Sequence, residues 1–225
     1  MELRRAAVAE LLGTFALCFI GAGAICTNQW TGGDLGLLGI AVAHGTVLAV
    51  MISALGHLSG GHFNPAVTVA VLASRKMTLQ RAGVYLVAQL AGAVLAAFLL
   101  SVIFPASVWQ PVHLGTPMLS AGTNDVQAML LEIVLTFFLV LAVFGTAVDA
   151  KGSWNAIAGF GIGTVLIFDI LVGGPLTGAA MNPARAFGPA FLSGMWDNQA
   201  VYWVGPLVGG TMAGLIYTLV FLKRR

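Results

Sequence analysis

Long runs of apolar residues, interrupted at intervals by short polar or glycine-rich stretches, dominate the chain. A helix needs about 20 mainly apolar residues to cross the hydrocarbon core of a bilayer. Six stretches meet that length, at approximately 6–27, 36–57, 78–103, 126–147, 155–174 and 199–222. Two further apolar segments, 65–74 and 183–193, are too short to span; each begins with Asn-Pro and follows a glycine-rich stretch. They predict re-entrant half-helices, which exist at membrane depth only where protein or a watery cavity satisfies their ends. The expected class is an all-α membrane protein with six transmembrane helices and two half-helices, forming one domain over 1–225.

The pattern repeats. Glu10 and Thr14 in the first run match Glu132 and Thr136 in the fourth, both as Glu-x-x-x-Thr. Asn64-Pro65-Ala66 matches Asn182-Pro183-Ala184, and the segment Ala88–Ala96 matches Gly205–Ala213 in the placement of small residues. Three spans per half is an odd number, so the second half enters from the opposite face. The halves, approximately 1–115 and 125–225, therefore read as an inverted repeat whose special site lies at the midplane. Gly205 and Gly209, Gly210 and Gly214, and Gly159 and Gly163 have the small-xxx-small spacing that lets membrane helices approach closely.

Composition agrees with lipid as the main solvent. Of 225 residues, 59% are hydrophobic and 8% charged, against about 25% charged in a soluble domain. Six spans place nine of the ten Lys and Arg residues on the side that holds both termini, which makes that side cytoplasmic. Arg185 is the exception. No basic cluster interleaves with aromatics, so nucleic-acid binding has no support. Cys18 and Cys26 lie in the first apolar run and read as small buried hydrophobes. Arg4 and Arg5 followed by an apolar run mimic a secretory signal, but Glu10 interrupts it and the run is long enough to span. With no nucleophile–base pair or metal cluster among the motifs, enzyme chemistry, a metal and a cofactor are not expected.

The Asn-Pro pairs carry the chemistry. Asn is a strong N-cap, and Pro suits the first helical position. Inverted symmetry aims the two N-termini at each other, each with roughly half a unit of positive charge, which makes a passage between them hostile to cations. The amides of Asn64 and Asn182 each have donors for a solute passing between them. A water held through its oxygen by both would interrupt a proton-conducting chain. Arg185, one turn beyond Asn182, is a cation in the membrane, costing roughly 2.5–3.5 kcal/mol unless it faces water or a partner. Its expected place is the aqueous passage.

Ser59-Gly60-Gly61-His62-Phe63-Asn64-Pro65-Ala66-Val67-Thr68 and Thr177-Gly178-Ala179-Ala180-Met181-Asn182-Pro183-Ala184-Arg185 resemble the two signature loops of the aquaporin (major intrinsic protein) family. The resemblance runs through all six spans. It implies the hourglass fold, a pore in each subunit, a homotetramer, and passive passage of water with exclusion of ions and protons. It also implies that Arg185 belongs to an outer constriction, joined by His44 from the second span, Ile170 from the fifth and Ala179 from the loop. Water-selective relatives place an aromatic in the second helix and a histidine in the fifth. The set found here resembles instead the filter of plant vacuolar aquaporins, and in part that of archaeal ones. Ile170 and Ala179 would widen this gate, so ammonia is an expected further solute, with urea and hydrogen peroxide beside it. Glycerol facilitators usually carry Asp after the second-signature Arg, where this chain has Ala186, and a Pro-Leu-type pair where it has Tyr202-Trp203. Those differences favour water and leave glycerol as the alternative.

Helical spacing places Leu48 one turn inward from His44 and Leu166 one turn inward from Ile170, as an apolar wall opposite loop carbonyls. His62 is expected to border the inner vestibule. Glu10 and Glu132 read either as proton-relay carboxylates or as acceptors for backbone N–H groups of the re-entrant loops; symmetry favours the second. Asp169, without a counterpart in the first half, is expected to brace the outer mouth or to pair with Arg185 or His113. His113 lies in the long outer loop 104–125, and in plant vacuolar relatives a histidine of this loop can join the filter. A proton-coupled transporter, which also uses inverted repeats, and a junction-type structural protein are the readings from other classes. The expected location is a cell membrane, or a vacuolar-type membrane in a eukaryote, with both termini cytoplasmic.

Overall fold

A computed structural model of the protein describes residues 2–149 and 157–222. Lys151, Lys223, Arg224, Arg225 and the expected start of the fifth span at 155 lie outside the described residues. Among the described residues, six helices are long and apolar enough to cross a membrane: α1 (Glu2–Trp30), α2 (Gly36–Ser59), α4 (Leu79–Ile103), α6 (Asp125–Val143, continued by a π-helical turn to Val148), α7 (Ala158–Thr177) and α9 (Gln199–Ile216, continued likewise to Phe221). Between them sit the half-helices α3 (Pro65–Ala73) and α8 (Pro183–Ser193), and a short turn of helix, α5 (Ala106–Trp109). Helix α1 extends beyond the apolar run at both ends, and at the N-terminal end Glu2 and Arg4-Arg5 are good helix formers that continue the same helix.

Local chemistry starts and stops these helices. Asn124 and Gln127 form a reciprocal capping box at the start of α6. Gly60 (φ 95°) and Gly178 (φ 77°) end α2 and α7 in the left-handed conformation that glycine tolerates. That turn sends the chain back into the membrane at equivalent points of the two halves.

Packing runs both within each half and between the halves. Helix α1 packs most extensively on α4, α6 on α9, and α2 on α7. Each half-helix leans on the last span of the other half, α3 on α9 and α8 on α4. Gly92 presses on the Leu11 carbonyl, and Gly209 presses on the Ile133 carbonyl, so closely that a Cβ on either glycine would collide with that oxygen. Gly205 meets Glu132 in the same interface, Gly163 meets Gly45, and Gly159 meets Ala49. Backbone cannot yield as a flexible side chain does. Gly209→Ala is therefore expected to cost about 1–3 kcal/mol through overpacking and to lower the unfolding temperature by several degrees. Gly83→Ala, where nothing lies within 4 Å of the added carbon, should leave it unchanged.

The distribution of polarity is inside-out. Glu10, Gln89, Glu132, Asp169 and Arg185 are buried, while Leu79, Val87, Phe160 and Val208 are among many large apolar side chains that are exposed. Such a surface suits lipid.

Candidate functional site

The two half-helices meet end to end and are tied by their own caps. Asn64 and Asn182 both take extended backbone angles, with Pro65 and Pro183 in the first helical positions. Asn64 Oδ1 accepts from Ala66 N (2.8 Å), and Asn182 Oδ1 accepts from Ala184 N (3.0 Å) and Arg185 N (3.3 Å). With the oxygens used as caps, the amide nitrogens turn toward the opposite half. Asn64 Nδ2 donates to Met181 O and Asn182 Nδ2 donates to Phe63 O, both at 2.9 Å. Each NH₂ has two hydrogens, so one N–H of each asparagine remains for the space between them. Phe63 (φ 48°) and Met181 (φ 49°) adopt a left-handed backbone, strained for bulky residues, which aims their carbonyls at the partner amide.

Behind each loop stands a carboxylate. Glu10 accepts from Ser59 Oγ (2.6 Å), His62 N (3.0 Å), Phe63 N (2.7 Å) and Gln89 Nε2 (2.8 Å). Glu132 accepts from Thr177 Oγ1 (2.8 Å), Ala180 N (2.9 Å) and Met181 N (2.8 Å). Tyr85 and Tyr202 complete the two frames by donating to the carbonyls of Ser59 (2.7 Å) and Thr177 (2.9 Å). The sequence reading gave no loop-supporting role to Ser59, Thr177, Tyr85, Tyr202 or Gln89. The signal for four of them was present: a hydroxyl residue before the loop glycine, and a tyrosine at matching places in the last span of each half.

A narrow cavity with about 460 Å³ of empty space runs past both asparagines. Leu48 and Ile52 of α2, Ile162 and Leu166 of α7, and Leu139 and Val143 of α6 line it at i,i+4 spacing, with Leu17 of α1. Gly61, His62, Ala179 and Ala180 of the loops line the opposite wall. Among the described residues that line it, Arg185 alone carries a fixed charge; its counterpart in the first half, Val67, lines the cavity as well. His62 is half-buried, with Nδ1 3.0 Å from Thr68 Oγ1 and its ring edge-on to Tyr85.

His44, Ala179 and Arg185 line this cavity together. His44 Nδ1 lies 2.9 Å from Ile40 O. A carbonyl only accepts, so Nδ1 carries the hydrogen, which leaves Nε2 as an acceptor whenever the ring is neutral. The ring lies over Gly21, where any Cβ would collide with it. Ile170 is buried but sits in the apolar cluster outside the lining residues; its counterpart Ile52 takes a lining place instead.

The outer loop reaches the site by a route other than His113. Leu114 (φ 55°) is fully buried against Ala22 and Leu100, and this anchors the following Gly115, whose carbonyl accepts from Arg185 Nη1 at 2.8 Å. Ser120 N donates to Leu176 O at 2.9 Å, fastening the loop to the end of α7. His113 itself lies outside the lining residues. Among the described residues Asp169 forms no pair with Arg185 or His113, the second of its two expected roles: Asp169 Oδ2 is buried without a hydrogen-bond partner. Asp169 precedes Ile170 on α7, and neither lines the cavity that Arg185 faces. Arg185 Nε is likewise buried without a protein partner.

Residues 1–217 match the family model described as Major intrinsic protein. The chain is 46% identical over 228 residues to Aquaporin TIP4-4 of Zea mays, covering 98% of this chain and 88% of that one. It is 43% identical over 229 residues to Probable aquaporin TIP3-2 of Arabidopsis thaliana, covering 97% and 84%. Its fold is similar to the X-ray structure of the aquaglyceroporin from Plasmodium falciparum, with a TM-score of 0.89 at 25% identity over 98% of this chain and 97% of that one. A family match over nearly the whole length, joined to six spans and two capped half-helices, leads to one conclusion: the chain is a multi-pass membrane channel protein that belongs to the major intrinsic protein (aquaporin) family.

Proposed function

We propose that the protein is a passive water channel whose lumen is the cavity between the half-helices, built as an inverted repeat. The observation that carries this reading is the reciprocal tie between Asn64 and Asn182. It leaves one donor on each asparagine facing an apolar wall of α2, α6 and α7 side chains, so a water there accepts from both and its hydrogens point outward along the file. Two helix N-termini add positive potential at the same point. Glu10 and Glu132 support the loops that shape this centre.

The tie also favours a pore over an alternating-access transporter. Rocking of one repeat against the other would break both amide–carbonyl bonds at the midplane. The curated relatives named above are aquaporins, which favours water.

His44, Ala179 and Arg185 form the outer filter in this reading, with Ile170 behind them. His44 Nε2 offers an acceptor and Arg185 Nε–H a donor, a pair that matches ammonia as well as water. Urea and hydrogen peroxide are smaller extensions of the same argument, and glycerol is the alternative. A homotetramer with cytoplasmic termini is the assembly proposed, in a cell membrane or a vacuolar-type one.

Stopped-flow light scattering of proteoliposomes tests this with water, ammonia, urea and glycerol side by side. Expected are fast water flux of low activation energy, unaffected by a protonophore, ammonia above the empty-vesicle rate, and slow glycerol. Flux that requires a proton gradient would overturn the pore; glycerol faster than water would replace it with a facilitator.

A further inference from the structure

Away from the lumen, the end of α3 and the end of α9 enclose a cleft with about 1030 Å³ of open space. The chain leaves α3 through Ser74, Arg75 and Lys76. The turn is held by hydrogen bonds from Arg75 N to Leu72 O (2.9 Å) and from Lys76 N to Val71 O (3.0 Å), with Arg75 at φ 57°. Both basic residues line the cleft, and among the described residues no acidic residue does. Leu215, Leu219 and Leu222 of the α9 segment form an apolar wall.

Two hydroxyls make this more than a basic surface. Ser74 is 8% exposed, and its Oγ is buried without a hydrogen-bond partner among the described residues. Thr218 Oγ1, from the opposite wall, is in the same condition. Both residues line the cleft. Buried polar atoms left unpaired are costly and call for a partner. The partner must accept from two hydroxyls and two cations, and it must tolerate a leucine wall beside them. Water satisfies the hydroxyls but not the leucines, and a soluble anion satisfies the cations but not the leucines.

We propose that this cleft binds the phosphate headgroup of an anionic membrane phospholipid, with oxygens accepting from Ser74, Thr218, Arg75 and Lys76 and an acyl chain lying along Leu215 and Leu219. The site rests on the membrane placement of the chain, not on which solute it passes. It lies on the side that holds most of the basic residues, which is the side of the anionic leaflet.

The test uses the full chain purified in neutral detergent, with bound lipid counted by mass spectrometry of the intact protein. Phosphatidylglycerol, phosphatidylcholine and inorganic phosphate are titrated separately. At about 1 kcal/mol per basic residue near an anionic surface, the double variant R75Q/K76Q is expected to bind phosphatidylglycerol roughly 25-fold more weakly than the parent. Ser74→Ala should weaken it several-fold, through loss of a hydrogen bond to a charged group. Phosphatidylcholine should bind the parent little better than the double variant. Water permeability of both variants should match the parent, which shows that they fold. Unchanged phosphatidylglycerol binding by R75Q/K76Q overturns the proposal. Inorganic phosphate competing as well as the lipid at equal concentration overturns the lipid assignment in favour of a soluble anion.

Discussion

Arg185→Val is expected to turn the channel into a leak for small cations. The substitution copies Val67, which already occupies the equivalent place in the first half and lines the same cavity. A unit charge about 4 Å from another is repelled by about 4 kcal/mol at an effective dielectric near 20, roughly a thousandfold in rate. Water in the lumen screens part of this, so an increase of roughly 10²–10³-fold in sodium or potassium entry is expected. Urea flux should rise too, because the guanidinium and its tie to Gly115 no longer narrow the passage. Water flux should change least. Tracer uptake and light scattering on the same vesicles measure all three, and cation entry that stays at the empty-vesicle level would remove Arg185 from its proposed role.

Glu132→Ala should abolish the folded protein rather than merely slow transport. The carboxylate accepts from Thr177 Oγ1, Ala180 N and Met181 N, and all three donors are buried. Each unpaired donor costs about 1–3 kcal/mol, so together they approach the whole stability of a typical domain, about 5–15 kcal/mol. Glu132→Gln keeps one acceptor oxygen but turns an NH₂ toward donors, and an intermediate yield is expected. Size-exclusion chromatography and thermal unfolding give the readout. A proton-relay carboxylate predicts the opposite pattern, a folded Glu132→Ala protein with only proton-coupled flux lost.

The six spans and two half-helices were legible because lipid imposes length and apolarity on any crossing segment, and because Asn-Pro caps punctuate the exceptions. The asparagine and glutamate pairs were legible through repetition. The outer loop was not. His113 and Leu114 take left-handed backbone angles without being glycine, so nothing local announces the turn; burial of Leu114 against α1 and α4 imposes it. His113 drew attention as a titratable residue, yet the loop acts on Arg185 through a backbone carbonyl, which any residue at 115 carries. The resemblance put Ile170 itself in the outer constriction, whereas its side chain lies in the apolar cluster outside the lining residues. Spacing along a helix resolves the turn and not the side of it that faces the lumen. The part played by Ser59 and Thr177 escaped notice because a hydroxyl beside glycine is common in loops; only the carboxylates waiting across the fold give them work.

The crossed packing of the half-helices has a consequence for how the protein is made. The carbonyl that accepts from Asn64 lies 117 residues downstream, and the helix that covers α3 is α9. A ribosome adding about 5–20 residues per second leaves this segment waiting roughly ten seconds for its partners. During that interval α3 has no finished place among its neighbours. Insertion must shelter it, in the translocation machinery or at the bilayer surface, until synthesis nears its end.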